Sequence, residues 1–166
     1  MARSSIRIVS GGQTGADRAA LDWALTNRVV HRGWCPKGRK AEDGIIARRY
    51  RLKATRSAAS AVRTRWNFRD SDGAVIFSLA RTLSGGSRRT AEFARKLKKP
   101  LLHLTGAVGA AVQARRLDRF IDQHQIRTLN VAGPRASEEP SVTRFVGAVL
   151  SRSRLLLQHG RCATPA

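Results

Sequence analysis

The run Ile6-Arg7-Ile8-Val9-Ser10-Gly11-Gly12-Gln13-Thr14-Gly15-Ala16-Asp17 constrains this chain more than any other stretch, because an apolar segment ends abruptly at glycines and a helical pattern starts at once. Ala16, Ala19, Ala20, Trp23 and Ala24 recur at i, i+3, i+4, i+7 and i+8, which lays one apolar stripe along a helix. Strand, glycine turn and helix in that order leave backbone N–H groups and the positive end of a helix dipole beside the turn, an arrangement suited to an anion. Gly11, Gly12, Gln13, Thr14 and Gly15 are therefore candidate ligand-binding residues. A carboxylate at Asp17 suits the dipole but repels a phosphate, so it is expected to turn away from the anion or to meet its hydroxyl or amino groups.

The same rhythm returns along the chain. Val29 to His31 is expected to form a short second strand, followed by a glycine-rich loop over residues 33–44. In that loop Trp34 is suited either to stacking on a flat heterocycle or to anchoring the core, and Lys37, like Arg39 and Lys40, either to meeting a phosphate or to facing solvent. Cys35 has no neighbouring base and is expected to act as a small buried hydrophobe. Ile45 to Leu52 suggests a short element, and Ser57 to Val62 an alanine-rich helix. Asp70 and Asp72 either open the buried strand Ala74 to Phe77 or serve a metal or ribose hydroxyls.

A second glycine junction, Ser84 to Ala94, supplies Gly85, Gly86, Ser87 and Thr90 as further candidates, with each hydroxyl also available as a helix cap. Glu92 falls in the first helical turn, where structure and function both favour a carboxylate. Leu101 to Leu104 reads as a strand, Ala110, Ala114, Leu117 and Ile121 as a helix stripe, and Thr128 to Ala132 as a fifth strand closed by Gly133 to Ser137. Val142, Phe145, Val146, Val149 and Leu150 form the last stripe, which Leu155 to Leu157 extend. His103 and His124 stand isolated, without a nucleophile or second ligand at useful spacing.

Strands alternating with helices predict an α/β domain built on an open, mostly parallel sheet with helices on both faces, whose loops after Val9, Phe77 and Ala132 gather at one edge. One domain over residues 1–158 and a frayed tail over 159–166 are expected from a chain of 166 residues. Two distant cysteines, no recognisable leader and no apolar run near the roughly 20 residues of a membrane span predict a soluble, cytoplasmic protein. The formal charge of +21 comes chiefly from arginine, dispersed over every segment, and predicts nonspecific, salt-sensitive nucleic-acid binding in vitro.

In its motifs the chain resembles the molybdenum cofactor carrier protein family. The resemblance rests on Ser10 to Asp22, on Gly33 to Arg39 with Ala41 to Gly44, on Asp70 to Gly73, on Gly85-Gly86-Ser87 with Thr90, and on Asn130 to Arg135, and it spans Ile8 to about Val149. It implies a Rossmann-like domain of the group that includes the cytokinin-activating phosphoribohydrolases and the DNA-processing protein DprA. It also implies a homo-oligomer, dimer or tetramer, holding molybdenum cofactor (molybdopterin) as a bound ligand for delivery to molybdoenzymes. On this resemblance Gly11, Gly12, Thr14 and Gly15 form one anion loop and Gly85, Gly86, Ser87 and Thr90 a second, while Gly133 opens the third strand–loop–helix junction of the chain, where it is a candidate ligand-binding residue beside them.

A carrier of this kind needs no catalytic residue and no metal ligand of its own. The alternative is a nucleoside-5′-monophosphate phosphoribohydrolase, since Glu92 falls where those enzymes place a catalytic glutamate after Gly-Gly-x-Gly-Thr. Here Ser87-Arg88-Arg89 replaces the middle of that signature, and Ala58 to Val62 lacks the aromatic that relatives carry before Arg63-Thr64. A further alternative is DprA-like nucleic-acid binding through the basic surface.

Overall fold

The computed structural model describes residues 5–160. Its centre is a six-stranded, wholly parallel sheet made by β1 (Arg7–Val9), β2 (His31–Cys35), β5 (Leu52–Ala54), β6 (Gly73–Ser78), β7 (Leu101–Thr105) and β8 (Thr128–Ala132). A separate two-stranded hairpin, β3 (Lys40–Ala41) and β4 (Gly44–Ile45), projects from the loop after β2. The sheet order is β5-β2-β1-β8-β6-β7. The chain thus runs outward to one edge through β2 and β5, crosses to β6 and β7, and returns with β8 into the gap between β1 and β6. Such a reversal of strand order opens a crevice at the carboxyl ends of the strands beside it.

Helices cover both faces, as the alternating pattern requires. On one face lie α1 (Ala16–Thr26), α4 (Ala110–Gln123), α5 (Val142–Leu150) and the short α6 (Arg154–Gly160), and between them and the sheet sits the main core. Ile8, Phe77, Leu104, Leu129 and Val131 from the strands meet Ala20, Leu117, Val146 and Leu150 from the helices, and all are fully or almost fully buried. The other face carries α2 (Ser60–Arg69) and α3 (Gly85–Lys96) over a small cluster of Phe68, Ala74 and Ala94. That second face has little apolar packing, and the space left under its helices becomes the cavity described below.

Several expectations move. The second strand begins at His31 and takes in Gly33, Trp34 and Cys35, while Val29 is buried ahead of it and Val30 is exposed. The glycine that signalled a loop serves close packing instead: a Cβ on Gly33 would lie 2.0 Å from the carbonyl oxygen of Ser10. The rest of the expected loop is a 3-10 turn over Lys37–Arg39 and the β3–β4 hairpin, and the short element after it ends in edge strand β5. The helix expected over Ser57 to Val62 runs from Ser60 to Arg69 and includes the polar stretch Arg63 to Asn67.

At the end of the chain, Leu155 to Leu157 belong to a separate helix. Its start is fixed by Asp118, which accepts hydrogen bonds from Ser153 Oγ at 2.5 Å and from the Arg154 amide at 3.0 Å. The expected tail over 159–166 begins inside that helix at His159 and Gly160, and residues 161–166 lie outside the described residues.

Candidate functional site

The first glycine loop is packed shut by its neighbours. Gly12 and Gly15 have φ of +78° and +79°, and a Cβ would come within 2.6 Å of Leu52 Cδ1 at Gly12 and 2.3 Å of the Pro134 carbonyl oxygen at Gly15. The helix end above them is also occupied, since the Ala16 amide donates to Pro134 O at 3.2 Å. Gly12 O accepts two bonds from the Arg18 guanidinium at 3.0 and 3.1 Å. Thr14 Oγ1 donates to Glu42 Oε1 and accepts from the Ala136 amide at 3.2 Å, while Gln13 Oε1 accepts from the amides of Thr14 and Glu42, both at 3.0 Å.

Glu42 itself fastens the hairpin across to the third loop, taking the Ser137 hydroxyl at 2.6 Å and the Ser137 amide at 3.2 Å. The hydroxyl bonds of Ser137 and Thr14 hold the Glu42 carboxyl below its ordinary pKa. Thr14 Oγ1 and the Ala16 amide, two of the donors that the sequence offered to an anion here, are thus used to join loops, and the Gln13 and Thr14 amides are taken up within the segment by Asp17 Oδ2 and Gln13 Oε1.

Gly11 faces a different partner. A Cβ there would fall 1.6 Å from Arg63 Nη1, so the absent side chain lets a guanidinium from α2 lie on the backbone. Arg63 Nη1 in turn donates to Asp17 Oδ2 at 2.8 Å, with only 12% and 8% of the two side chains exposed. Asp17 therefore neither turns away from the site nor stands free: it is the counter-ion of a buried arginine.

Beyond this pair opens a cavity of about 410 Å³, bounded by α2, α3 and the carboxyl ends of β1 and β8. This size falls in the usual range for a small-molecule site, roughly 300–1,000 Å³. Ser60, Arg63 and Thr64 of α2 form one wall, Gly86, Ser87, Arg89, Thr90, Glu92 and Lys96 of α3 the other, and Asn130 to Gly133 the floor. Arg135 and Glu138 complete it beside the third loop. Cations at Arg63, Arg89, Lys96 and Arg135 face carboxylates at Asp17, Glu92 and Glu138, so charges of both signs line it.

Of the candidates from the sequence, Gly11, Gln13, Gly86, Ser87, Thr90, Glu92 and Gly133 line this cavity. Gly12, Thr14, Gly15, Trp34, Lys37 and Gly85 fall outside its lining. Trp34 is an anchor between β2 and α2: its ring meets Trp66 edge to face at 4.7 Å and its Nε1 donates to Asp70 at 2.6 Å. Lys37 is exposed on the 3-10 turn.

Gly85 and Gly86 open α3 itself, and a Cβ on either would touch nothing within 4 Å. Thr90 spends its hydroxyl on Gly86 O at 2.9 Å within the same helix. Gly133 is tightly fitted as well, a Cβ there lying 2.5 Å from Phe77 O. Glu92 is about half exposed and stands 3.6 Å from Arg88 one turn earlier.

Asp70 and Asp72 diverge, the first taking Trp34 and Arg69, the second accepting the Arg127 and Thr128 amides at 2.9 and 2.8 Å. Among the described residues no three His, Cys, Asp or Glu side chains are grouped to hold a metal ion. Cys35 is buried, and burial pushes its thiol pKa up. His103 does gain a hydroxyl neighbour that its spacing did not suggest, Ser78 Oγ at 2.6 Å, and burial lowers its pKa. Ser78 is buried, and neither residue lines the cavity.

Sequence reasoning missed Arg63, Arg89, Lys96, Asn130 and Arg135 as cavity residues. For Asn130 a signal existed: a polar residue between Leu129 and Val131 in a central strand has to answer for its burial. For Arg63 no local signal existed, because only the packing of α2 onto Gly11 brings it in.

Residues 8–154 match the model of the circularly permutated YpsA SLOG family. Among solved structures, one from Syntrophus aciditrophicus, named "Putative molybdenum carrier protein", superposes with a TM-score of 0.88 at 39% identity, covering 91% of this chain and 96% of that one. No curated protein matches the chain.

Proposed function

The chain belongs to the circularly permutated YpsA SLOG family, and from that premise we propose that it is a binding protein for a small phosphorylated, nucleotide-like ligand, with molybdenum cofactor as its cargo. The observation that carries this reading is the cavity at the strand-order reversal, with the amino end of α3 and four cationic side chains on its lining. A pyranopterin with a terminal phosphate and an oxyanionic metal centre needs donors and cations around it and shelter from solvent. It needs no nucleophile. The name of the solved relative, a molybdenum carrier, supports a molybdenum-related cargo. Gly11, Gly86, Ser87 and Gly133 are the ligand-binding glycines and hydroxyl that this reading keeps, joined by Arg63, Arg89, Lys96 and Arg135.

The test is retention of molybdenum cofactor through anaerobic gel filtration. Wild-type protein should co-elute with the cofactor, and Gly86→Asp, which sets a carboxylate at the amino end of α3 without a packing clash, should not. Equal retention by both would end the assignment of the site.

A second reading is supported by Glu92, which lines the same cavity. In it the protein hydrolyses the glycosidic bond of a nucleoside 5′-monophosphate, with Glu92 as the carboxylate. Release of free base from monophosphates by wild type and not by Glu92→Gln would favour this reading, and no release from any monophosphate would remove it.

A further inference from the structure

Three polar groups that line the cavity, one on each wall and one on its floor, have no hydrogen-bond partner among the described residues. Arg63 Nε is buried and has no hydrogen-bond acceptor, although Nη1 of the same guanidinium is held by Asp17 at 2.8 Å. Asn130 is 3% exposed, and its side-chain amide makes no hydrogen bond among the described residues. Strand alternation sets its direction: Leu129 and Val131 point into the main core, so Asn130 faces α2, α3 and the cavity it lines. Ser87 is 8% exposed in the first turn of α3, also lines the cavity, and its hydroxyl likewise lacks a partner among the described residues.

A buried polar group left unsatisfied costs about 1–3 kcal/mol, more for a charged one, so the buried Arg63 Nε–H calls for an acceptor, and Asn130 and Ser87 offer unused polar groups around the same cavity. The buried amide of Asn67 on α2, by contrast, is paired in both directions: it accepts from Trp34 N at 2.7 Å and donates to Trp34 O at 3.0 Å.

We infer that Arg63, Asn130 and Ser87 form an oxyanion seat made by side chains, in which Arg63 Nε–H, the Asn130 amide N–H and the Ser87 hydroxyl donate to one tetrahedral oxyanion of the ligand. Asp17 does not touch the oxyanion in this arrangement. By holding Nη1 it fixes the guanidinium plane, so that Nε–H stays turned to the cavity, and it removes the cost of a second unpaired charge. Gly11 allows the arginine to lie close enough to the end of β1. The inference rests on the cavity being the ligand site, and it shifts the anion contacts from the backbone of the first glycine loop to side chains of α2, α3 and β8. A free inorganic oxyanion and an esterified phosphate share the chemistry this seat reads.

Isothermal titration of the full chain with inorganic phosphate and with AMP separates those two sources. Wild type should bind at least one of them. Arg63→Lys keeps the charge beside Asp17 but has no Nε–H, and it should bind that probe about ten- to hundredfold more weakly, the range expected for one charge-assisted hydrogen bond. Asn130→Asp is nearly isosteric and places a carboxylate against the oxyanion, so binding should be lost.

Thermal melts and circular dichroism of both variants establish that they are folded. Should Arg63→Lys not fold, Asn130→Asp and Ser87→Ala carry the test, the latter weakening binding severalfold. No binding of either probe by wild type, or wild-type affinity in the folded variants, overturns the inference. The cargo reading fails separately: cofactor retained equally by wild type and Asn130→Asp sinks the seat and leaves the carrier standing. Probe binding that follows this pattern without cofactor retention leaves the seat and removes the cargo.

Discussion

The two glycine loops look alike in sequence and do opposite work in the structure. In the first, Gly11, Gly12 and Gly15 are each pressed against something: a guanidinium, a leucine methyl and a backbone carbonyl. In the second, Gly85 and Gly86 have open space where a Cβ would stand. Glycines in the first loop permit close approach between protein segments, whereas those in the second keep the mouth of a helix clear. Open backbone at the cavity is therefore found at the start of α3, and the first loop contributes by placing Arg63 and Asp17.

The largest effect that sharpens this contrast is expected at Asp17. Asp17→Ala leaves the Arg63 guanidinium buried without its counter-ion and should cost about 3–5 kcal/mol, read as a shift in the urea midpoint at unchanged slope. The double variant Asp17→Ala, Arg63→Met removes both charges and should recover a large part of that loss. If Asp17→Ala alone is as stable as wild type, the pair is not the keystone of the first loop.

Gly15→Ala follows. It forces a side chain into a left-handed backbone at φ +79° and against the Pro134 carbonyl, and about 2–4 kcal/mol should be lost by the same measurement. Gly86→Ala is the matching change in the second loop. Helical backbone and open space there predict no loss and up to about 1 kcal/mol of gain. Comparable losses at Gly15 and Gly86 would erase the distinction between the loops.

How far the contrast could be read beforehand depends on what makes each feature visible. The parallel sheet was legible because Ala74 to Phe77 is a short apolar run and Leu129, Val131 and Ala132 supply most of another, both set between helical stripes, and burial on both faces favours that composition. The convergence of three loops at one edge followed from it. The two faces of a glycine were not legible, since a sequence shows the missing side chain and not what fills its place.

Helix α2 was half missed for a related reason. Only Asn67 and Phe68 of its ten residues are buried, so it has almost no apolar stripe, and the face turned to the cavity is polar. Trp34, which the sequence left open between a ligand platform and an anchor, has Trp66, Asp70 and Asn67 as neighbours in the structure.

The smallest expected effect concerns how the first loop is fastened. Glu42 ties the β3–β4 hairpin to Thr14 and Ser137, and no comparable strap crosses to α3 among the described residues. Those bonds depend on the ionised carboxylate, whose pKa they lower from 4.5. A carboxyl with a depressed folded value contributes fully above its unfolded value and loses that contribution as pH falls through the folded one. Acidification should therefore release the strap only below about pH 4.5. The Ser137 amide resonance is the probe: it should titrate with a midpoint under 4.5 in wild type and stay flat in Glu42→Gln. Because the carboxylate is exposed, global stability should barely change between the two proteins above that pH. A Ser137 midpoint at or above 4.5 would mean that the hairpin is not held by Glu42, and the first loop would then be as open at its rim as the second.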